Sequence, residues 1–271
     1  MEQSQYFKLP EKSGKYPHPD LHIALSRQYQ GKDWNTTKST LEQNHQLCLP
    51  VYLFREALIH LRSKERIYNE CGKRIPKTTI TQTLNDIYEQ RSPYRAEWLN
   101  SQFTHKNNNW YIKHLVFDNE GQPKEVIEQL DPDTLMEDRA PGISLEDWLK
   151  RATPQGLPST KTKNGSLYYW SPQDGTVARF RADAGWVNLS CGGNPRNSGD
   201  GLGVRPFVLA KGESKIFEDE SKQMNSPSIV QVSPSLQDIL NIANDYVAPT
   251  IRNEFKEKIR SLYQEQNIKI K

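Results

Sequence analysis

The stretch that decides the fold of this chain runs from Tyr168 to Val208 as YYWSPQDGTVARFRADAGWVNLSCGGNPRNSGDGLGVRPFV. Runs of apolar and aromatic residues predict strands at 167–170 and 177–180, with a turn at 173–175 between them. Residues 202–209 predict a last strand, in which Gly203 marks a bulge or a close backbone approach. The segment between the strands is predicted to be a long loop, too polar to fold by itself, and a loop of that length is either functional or disordered. Its flanking strands and Cys191 favour a displayed binding surface.

Composition excludes several classes of protein. The 271 residues include 36 basic and 33 acidic side chains, a net charge of +3 that disfavours a dedicated nucleic-acid binder. Hydrophobic residues make up 35% of the chain and aromatic residues 10%, which is enough for a packed core. No apolar run is long enough to span a membrane, and residues 1–14 lack the apolar region of a signal peptide. The default expectation is a cytoplasmic protein, with surface display left open.

Metal, cofactor and common catalytic motifs are not expected. Cys48, Cys71 and Cys191 are too far apart for a disulfide framework or a zinc site. His18 and His22 are separated by Pro19, which argues against a helical metal pair. Three aspartates could supply calcium ligands, but no cluster of six or more oxygens is visible: Asp174, Asp183 and Asp200. The chain has no nucleophile elbow, phosphate-binding loop or dinucleotide-binding glycine motif.

Composition also suggests four segments. Residues 1–20 are rich in Lys, Pro and Ser and predict a flexible arm. Residues 21–210 form the main domain, residues 211–230 a charged linker, and residues 231–271 a helical extension.

Local patterns place elements within the main domain. Apolar residues at helical spacing predict a helix over 54–61, and Thr79 with Gln82 resembles a capping box. Ser92-Pro93 predicts the start of a short helix that contains Trp98 and Leu99. Residues 110–117 and 125–128 predict a hairpin. Ser144 is expected to cap a short helix.

The chain contains several short motifs whose order and spacing are informative. The motifs of the C-terminal half are Tyr169-Trp170, Ala178-Arg179-Phe180, Ala182-Asp183, Leu189, Cys191, Asn194-Pro195, Asn197-Ser198 and Leu202-Gly203-Val204-Arg205. Upstream are Trp34-Asn35, Pro50 with Phe54, 95–99, Pro141-Gly142-Ile143, Trp148-Leu149 and 155–158. Together, over residues 30–210, they resemble the C-type-lectin-fold variable proteins of diversity-generating retroelements, in the form found in small-genome archaea and their viruses.

The resemblance implies an α+β, C-type lectin-like fold, related in shape to formylglycine-generating enzymes, with a helical N-terminal part and added C-terminal helices. It implies a non-enzymatic protein whose variable side chains bind a protein or glycan ligand. The positions that vary in the family correspond here to Arg181, Gly185, Trp186, Asn188, Ser190 and Gly192. The structural motif corresponds to Arg179, Phe180, Cys191, Gly203, Val204 and Arg205.

Alternation along a strand agrees with this assignment, because successive side chains point to opposite faces. Ala182, Leu189 and Cys191 are expected to pack inward. The expected outward residues are Arg181, Asn188, Ser190 and Gly192. Trp186 has two open interpretations, a binding anchor or a core residue beside Cys191.

Two other functions stay open at this point. One is an enzyme of the formylglycine-generating type, which would need Cys191 as a reactive thiol, although an inert buried thiol is favoured. The other is an intracellular interaction protein that acts through its C-terminal helices.

Arg179 and Arg205 are expected to be structural, since a guanidinium can hold several loop carbonyls. The sequence does not indicate an oligomeric state.

Overall fold

A computed structural model describes residues 5–210, and in that range the protein is a mixed α+β structure made mostly of strands. The α+β class predicted from the sequence is therefore confirmed. The strands are β1 (Tyr6–Leu9), β2 (Leu21–Ala24), β3 (Leu47–Cys48), β4 (Arg95–Lys106), β5 (Asn109–Phe117), β6 (Pro123–Gln129), β7 (Arg139–Ile143), β8 (Leu167–Trp170), β9 (Val177–Ala182), β10 (Val187–Gly193), β11 (Leu202–Val204) and β12 (Pro206–Leu209). The helices are α1 (Trp34–Gln43), α2 (Val51–Arg62), α3 (Lys77–Tyr88) and α4 (Leu145–Arg151).

The larger sheet has the strand order β6-β5-β4-β9-β10-β8-β7, with β11 paired to β4. Strand β10 is antiparallel to β9 and parallel to β8, so both of its edges are hydrogen-bonded. The polar segment between the predicted strands is therefore not a loop throughout, because residues 187–193 form a strand inside the sheet, where register fixes its neighbours.

The smaller sheet joins the two ends of the described chain. Its order is β1-β2-β12-β3. Ile23 of β2 lies opposite Phe7 of β1 on one side and opposite Phe207 of β12 on the other. All three side chains are fully buried, so the first and last described strands share one piece of core.

The inner face of the larger sheet is covered by α2 and α4. Helix α2 begins after Pro50 and buries Phe54, in agreement with the predicted helix. The ring of Phe54 lies 5.1 Å from that of Phe180 on β9, and Trp148 of α4 stacks on Phe180 at 6.3 Å. Burying one such side chain stabilises the fold by about 1.5–3 kcal/mol.

Part of the outer face is covered by α1. Asp33 caps this helix by accepting the backbone N–H of Thr36 at 2.8 Å. Trp34 then packs against Trp98 of β4 with ring centroids 6.0 Å apart. Trp98 lies opposite Arg179 in the β4–β9 register, so the cover over the outer face reaches the strand beside Arg179.

The predicted flexible arm needs correction, because part of it is a strand. In β1, Phe7 and Leu9 are buried while Tyr6 and Lys8 are half-buried. Two apolar side chains at alternate positions are enough to hold a short strand in a sheet when a neighbouring strand supplies the backbone hydrogen bonds. The low hydropathy of residues 1–20 concealed this short pattern.

Three local predictions also differ from the structure. The helix predicted after Ser92-Pro93 is strand β4, whose residues 95–101 are all buried and so show no alternation. The turn at 173–175 exists, but β8 and β9 are not hairpin partners, because β10 lies between them. Helix α3 begins at Lys77 after Pro76, so Thr79 is not its cap.

Other local predictions are confirmed. Strands β5 and β6 form the predicted hairpin, and Ser144 Oγ accepts the backbone N–H of Asp147 at the start of α4. The predicted linker over 211–230 and the helices over 231–271 lie outside the described residues.

Candidate functional site

Strands β9 and β10 have two different faces. Phe180 of β9 lies opposite Leu189 of β10, and both are buried in the main core together with Cys191. The residues that alternate with these along the two strands point to the other face of the sheet. There Arg181 lies opposite Asn188, and Arg179 lies opposite Ser190. The predicted inward packing of Leu189 and Cys191 is therefore confirmed.

The outer face continues onto β8. Tyr168 lies beside Asn188, and Trp170 lies beside Ser190, in the parallel β8–β10 register. Side chains opposite each other in neighbouring strands are close enough to touch. Each short side chain of β10 is thus flanked by an arginine on one side and an aromatic ring on the other.

At one end of this face, aromatic rings surround Arg181. Its guanidinium lies 4.5 Å from the ring centroid of Tyr94 and 5.0 Å from that of Trp186. The ring of Trp186 is in turn 5.8 Å from that of Tyr168. Cations over aromatic faces are attracted by the ring quadrupole, which holds these groups as one unit.

The turn between β9 and β10 presents Trp186. The backbone N–H of Asp183 donates to the carbonyl of Trp186 at 2.9 Å, which closes the turn. The Asp183 carboxylate accepts from Arg181 at 2.5 Å and from the N–H of Ala184. The hydrogen bonds from Ala184 and Arg181 lower the pKa of Asp183, so this carboxyl stays ionised.

We call the outer surface formed by Tyr94, Tyr168, Arg179, Arg181, Trp186 and Asn188 the arginine face. Three side-chain atoms of this face are buried without a hydrogen-bond partner among residues 5–210. They are the Nε of Arg179, the Nε of Arg181 and the Oδ1 of Asn188. Such groups cost free energy unless water or a ligand satisfies them.

The structure distributes the six predicted ligand-binding residues unevenly. Gly185 is exposed, and Arg181, Trp186 and Gly192 are half-buried. Asn188 and Ser190 are on the expected outer face but are buried, with 1% and 4% of their surface exposed. Their expected contact with water is corrected, because the longer side chains of the neighbouring strands stand over them.

Within the predicted structural motif, Arg205 links the two sheets and α3, whereas the guanidinium of Arg179 holds no carbonyl within residues 5–210, which corrects the structural role expected for Arg179. Arg205 is buried, and its guanidinium binds the Glu97 carboxylate at 2.7 and 3.2 Å. It also donates to the carbonyl of Ala24 at 2.9 Å and to Asp86 at 3.2 Å. The structural role expected for Arg205 is confirmed. A side chain at Gly203 would come within 2.8 Å of the Gln28 carbonyl, which is the predicted close approach.

Cys191 is set in apolar surroundings. Its side chain is fully buried, and burial raises the pKa of the thiol, which disfavours the reactive thiolate. The three aspartates considered for calcium are occupied elsewhere or apart: Asp174 accepts the N–H of His105, Asp183 binds Arg181, and Asp200 is exposed. Within residues 5–210, no three metal-binding side chains of His, Cys, Asp or Glu come together.

Two residues of the arginine face were not predicted from the sequence. Tyr168 could have been found, because it alternates with the buried Tyr169 and must therefore lie on the outer face. Tyr94 carries no such pattern. It reaches Arg181 because β4 and β9 pair from Arg95 and Ala182 onward, a contact between distant parts of the chain.

Comparison with known proteins gives no relative. No family model, no curated protein and no solved structure matches the chain. None of the helices within residues 5–210 has the length and apolar character needed to cross a bilayer.

Proposed function

We propose that this protein binds a ligand through the arginine face, without catalysing a reaction. In this proposal the described domain is a C-type lectin-like scaffold, and the chain is the target of a diversity-generating retroelement. The observation that carries the binding proposal is the cluster of Arg181 with Tyr94 and Trp186 on an outer sheet surface.

The residue types of this cluster support a binding role. Tryptophan, tyrosine and arginine are the residues most enriched in interface hot spots. Trp186 and Tyr94 are half-buried, so each keeps surface that a partner can cover. The inner face of the same strands is anchored by Phe180 and Leu189, which gives the surface a rigid base.

Two glycines near the cluster support tolerance to sequence change. A side chain at Gly185 would meet nothing within 4 Å, and one at Gly192 would meet only the end of the Gln173 side chain at 3.2 Å. Asn188 and Ser190 differ, because they are buried beneath their neighbours. We call the open positions Gly185 and Gly192 the rim, and the buried Asn188 and Ser190 the floor. In this proposal, sequence variation concerns the rim.

Binding can be tested with the full-length chain on an array of glycans and an array of purified proteins. We expect at least one ligand whose affinity falls about tenfold or more in both Trp186→Ala and Arg181→Ala, since hot-spot truncations cost about 2 kcal/mol or more. Tyr68→Ala is the matched control, because Tyr68 is also an exposed aromatic residue, 41% accessible, outside the arginine face. Ligands that bind both variants as well as the native chain would refute this site and favour residues 211–271.

Diversification has a separate test in the DNA around the gene. A template repeat and a reverse transcriptase nearby, with paralogues that differ mainly at the rim positions, would support it. A locus without either would remove diversification from the proposal and leave binding intact.

A further inference from the structure

Arg179 is a cation without an acidic partner. Its guanidinium forms no hydrogen bond and no ion pair with any residue in 5–210, and its Nε is buried. Its stem lies over the backbone of Gly193, where a Cβ would approach its Cδ to 3.4 Å. Burial and the neighbouring Arg181 charge lower its pKa, as expected for a guanidinium that lacks a counter-ion. A group in this position is stabilised by an anion.

Asn188 lies on the same face, directly opposite Arg181 and diagonally across from Arg179. It is 1% exposed, and the buried end of its carboxamide has no partner. Rotation of the amide places either its oxygen or its NH2 group in that position, because the two ends have the same shape. Because that position is buried, Asn188 lies beneath the surface and leaves the contact with an anion to the guanidinium of Arg179.

The balance of charge on the arginine face is positive. Arg179 and Arg181 face the same side of β9, and Asp183 neutralises only Arg181. A planar guanidinium binds a carboxylate through two parallel hydrogen bonds, so Arg179 suits this anion. The aromatic rings beside it offer apolar contact for the atoms that carry the carboxylate.

The shape of the surface favours a protein over a small molecule. Small-molecule sites are concave and bury most of their ligand. Three cavities of about 150, 410 and 660 Å³ lie elsewhere among the described residues. The arginine face is the open side of a sheet, bounded by Tyr94 and Trp186.

We infer that the partner is a protein that presents an acidic segment, whose Asp or Glu carboxylate binds Arg179 while its neighbours pack on Trp186 and Tyr168. This inference rests on the proposed function and adds the chemistry of the ligand. The other residues of the face would then set which acidic segment is accepted.

The test is to pan a phage-displayed random dodecapeptide library on the immobilised full-length chain. The peptides selected should be enriched in Asp and Glu. The best peptide is then synthesised with each acid replaced by its amide, and affinities are measured by calorimetry. We expect at least one acid-to-amide change to weaken binding about tenfold, as for loss of a charged hydrogen bond.

Variants of the chain locate the contact. Arg179→Gln should weaken the acidic peptide about as much as the peptide's own amide change, and the two changes together should add little. Arg74→Gln, at an exposed arginine outside the arginine face, should bind like the native chain. The amide series uses the native chain, so it decides the question even where Arg179→Gln unfolds.

The remaining outcomes separate the two proposals. Peptides without acidic enrichment that lose binding in Trp186→Ala would overturn the acidic ligand and keep the binding surface. Binding only to carboxylated glycans would overturn a protein partner. The absence of any peptide or glycan that depends on Trp186 would overturn both.

Discussion

At the scale of single residues, Arg205 shows how one side chain can connect distant segments. It joins Glu97 of β4, Asp86 of α3 and the carbonyl of Ala24 of β2. Glu97 is 2% exposed, so removal of the arginine would leave a carboxylate buried without its cation. The ion pair therefore matters chiefly through the cost of breaking it.

Arg205→Leu is expected to lower the free energy of unfolding by about 3–5 kcal/mol, because it strands the buried charge of Glu97. Urea unfolding of the full-length chain measures this loss. Lys161→Ala is the matched control, since its ion pair with Asp133 is largely exposed and should be worth less than about 1 kcal/mol. Equal effects of the two substitutions would contradict the buried role of Arg205.

A second residue links stability to pH. His114 is fully buried between the rings of Tyr16 and Tyr52, and its Nε2 lies 3.4 Å from Glu128. Burial lowers the pKa of His114 and outweighs the opposite effect of Glu128. The unfolded chain, with an ordinary histidine pKa of about 6.5, then binds the proton first. Stability should fall as the pH falls below that value.

His114→Phe should reduce the difference in unfolding free energy between about pH 7.5 and about pH 5.5, because it removes a group that gains a proton on unfolding. Chemical unfolding at both pH values provides the measurement. Tyr52→Phe alters the same buried cluster but removes no group that titrates in this range, so its pH dependence should match the native chain. An unchanged pH dependence in His114→Phe would disprove the assignment.

At the scale of elements, β10 combines a structural face and an open rim. Leu189 is fully buried against Phe180, whereas the position of Gly192 faces a flexible side chain. The same strand therefore contains positions with opposite tolerance to substitution.

Leu189→Ala should cost about 2–5 kcal/mol of stability, since it leaves a cavity in the core. Gly192→Ser and Gly185→Ser should change stability by less than about 0.5 kcal/mol, as at ordinary surface positions. Thermal and urea unfolding of the three variants test this contrast. A serine at either glycine that destabilises the chain as much as the Leu189 change would show that the rim is not open.

At the scale of the whole molecule, the N-terminal strand is part of the fold. Phe7 of β1 and Phe207 of β12 both pack at Ile23 of β2, although about 200 residues separate them in the chain. Contacts of this kind carry an entropic cost, because a long loop must close before they form. They make the two ends of the described chain interdependent.

Phe7→Ala should therefore lower the unfolding free energy by about 3–5 kcal/mol, as for other large core truncations. Lys8→Ala is the control on the same strand, since the side chain of Lys8 is 39% exposed and forms an ion pair with Asp20. Native-like stability of Phe7→Ala would return residues 1–20 to the status of a flexible arm.

Several features could be predicted from the sequence because their causes are local. The helical spacing behind Phe54 and the capping Ser144 depend on neighbours within a turn or two, and both occur in the structure. The two faces of β9 and β10 follow from the alternation of a strand, whichever strands lie beside it. The burial of Asn188 could not be predicted, because the side chains beside it, Arg181 and Tyr168, belong to other strands.

Local patterns along the chain were enough to predict the α+β class, the strands around residue 180, and the face to which each of their side chains points. Three features followed only from the folded arrangement: β10 lies between β9 and β8, Tyr94 meets Arg181, and Phe7 joins the core. These two groups differ in the separation along the chain of the residues that interact. Backbone periodicity and helix capping act over a few residues, whereas strand pairing and burial depend on segments that meet only when the chain folds.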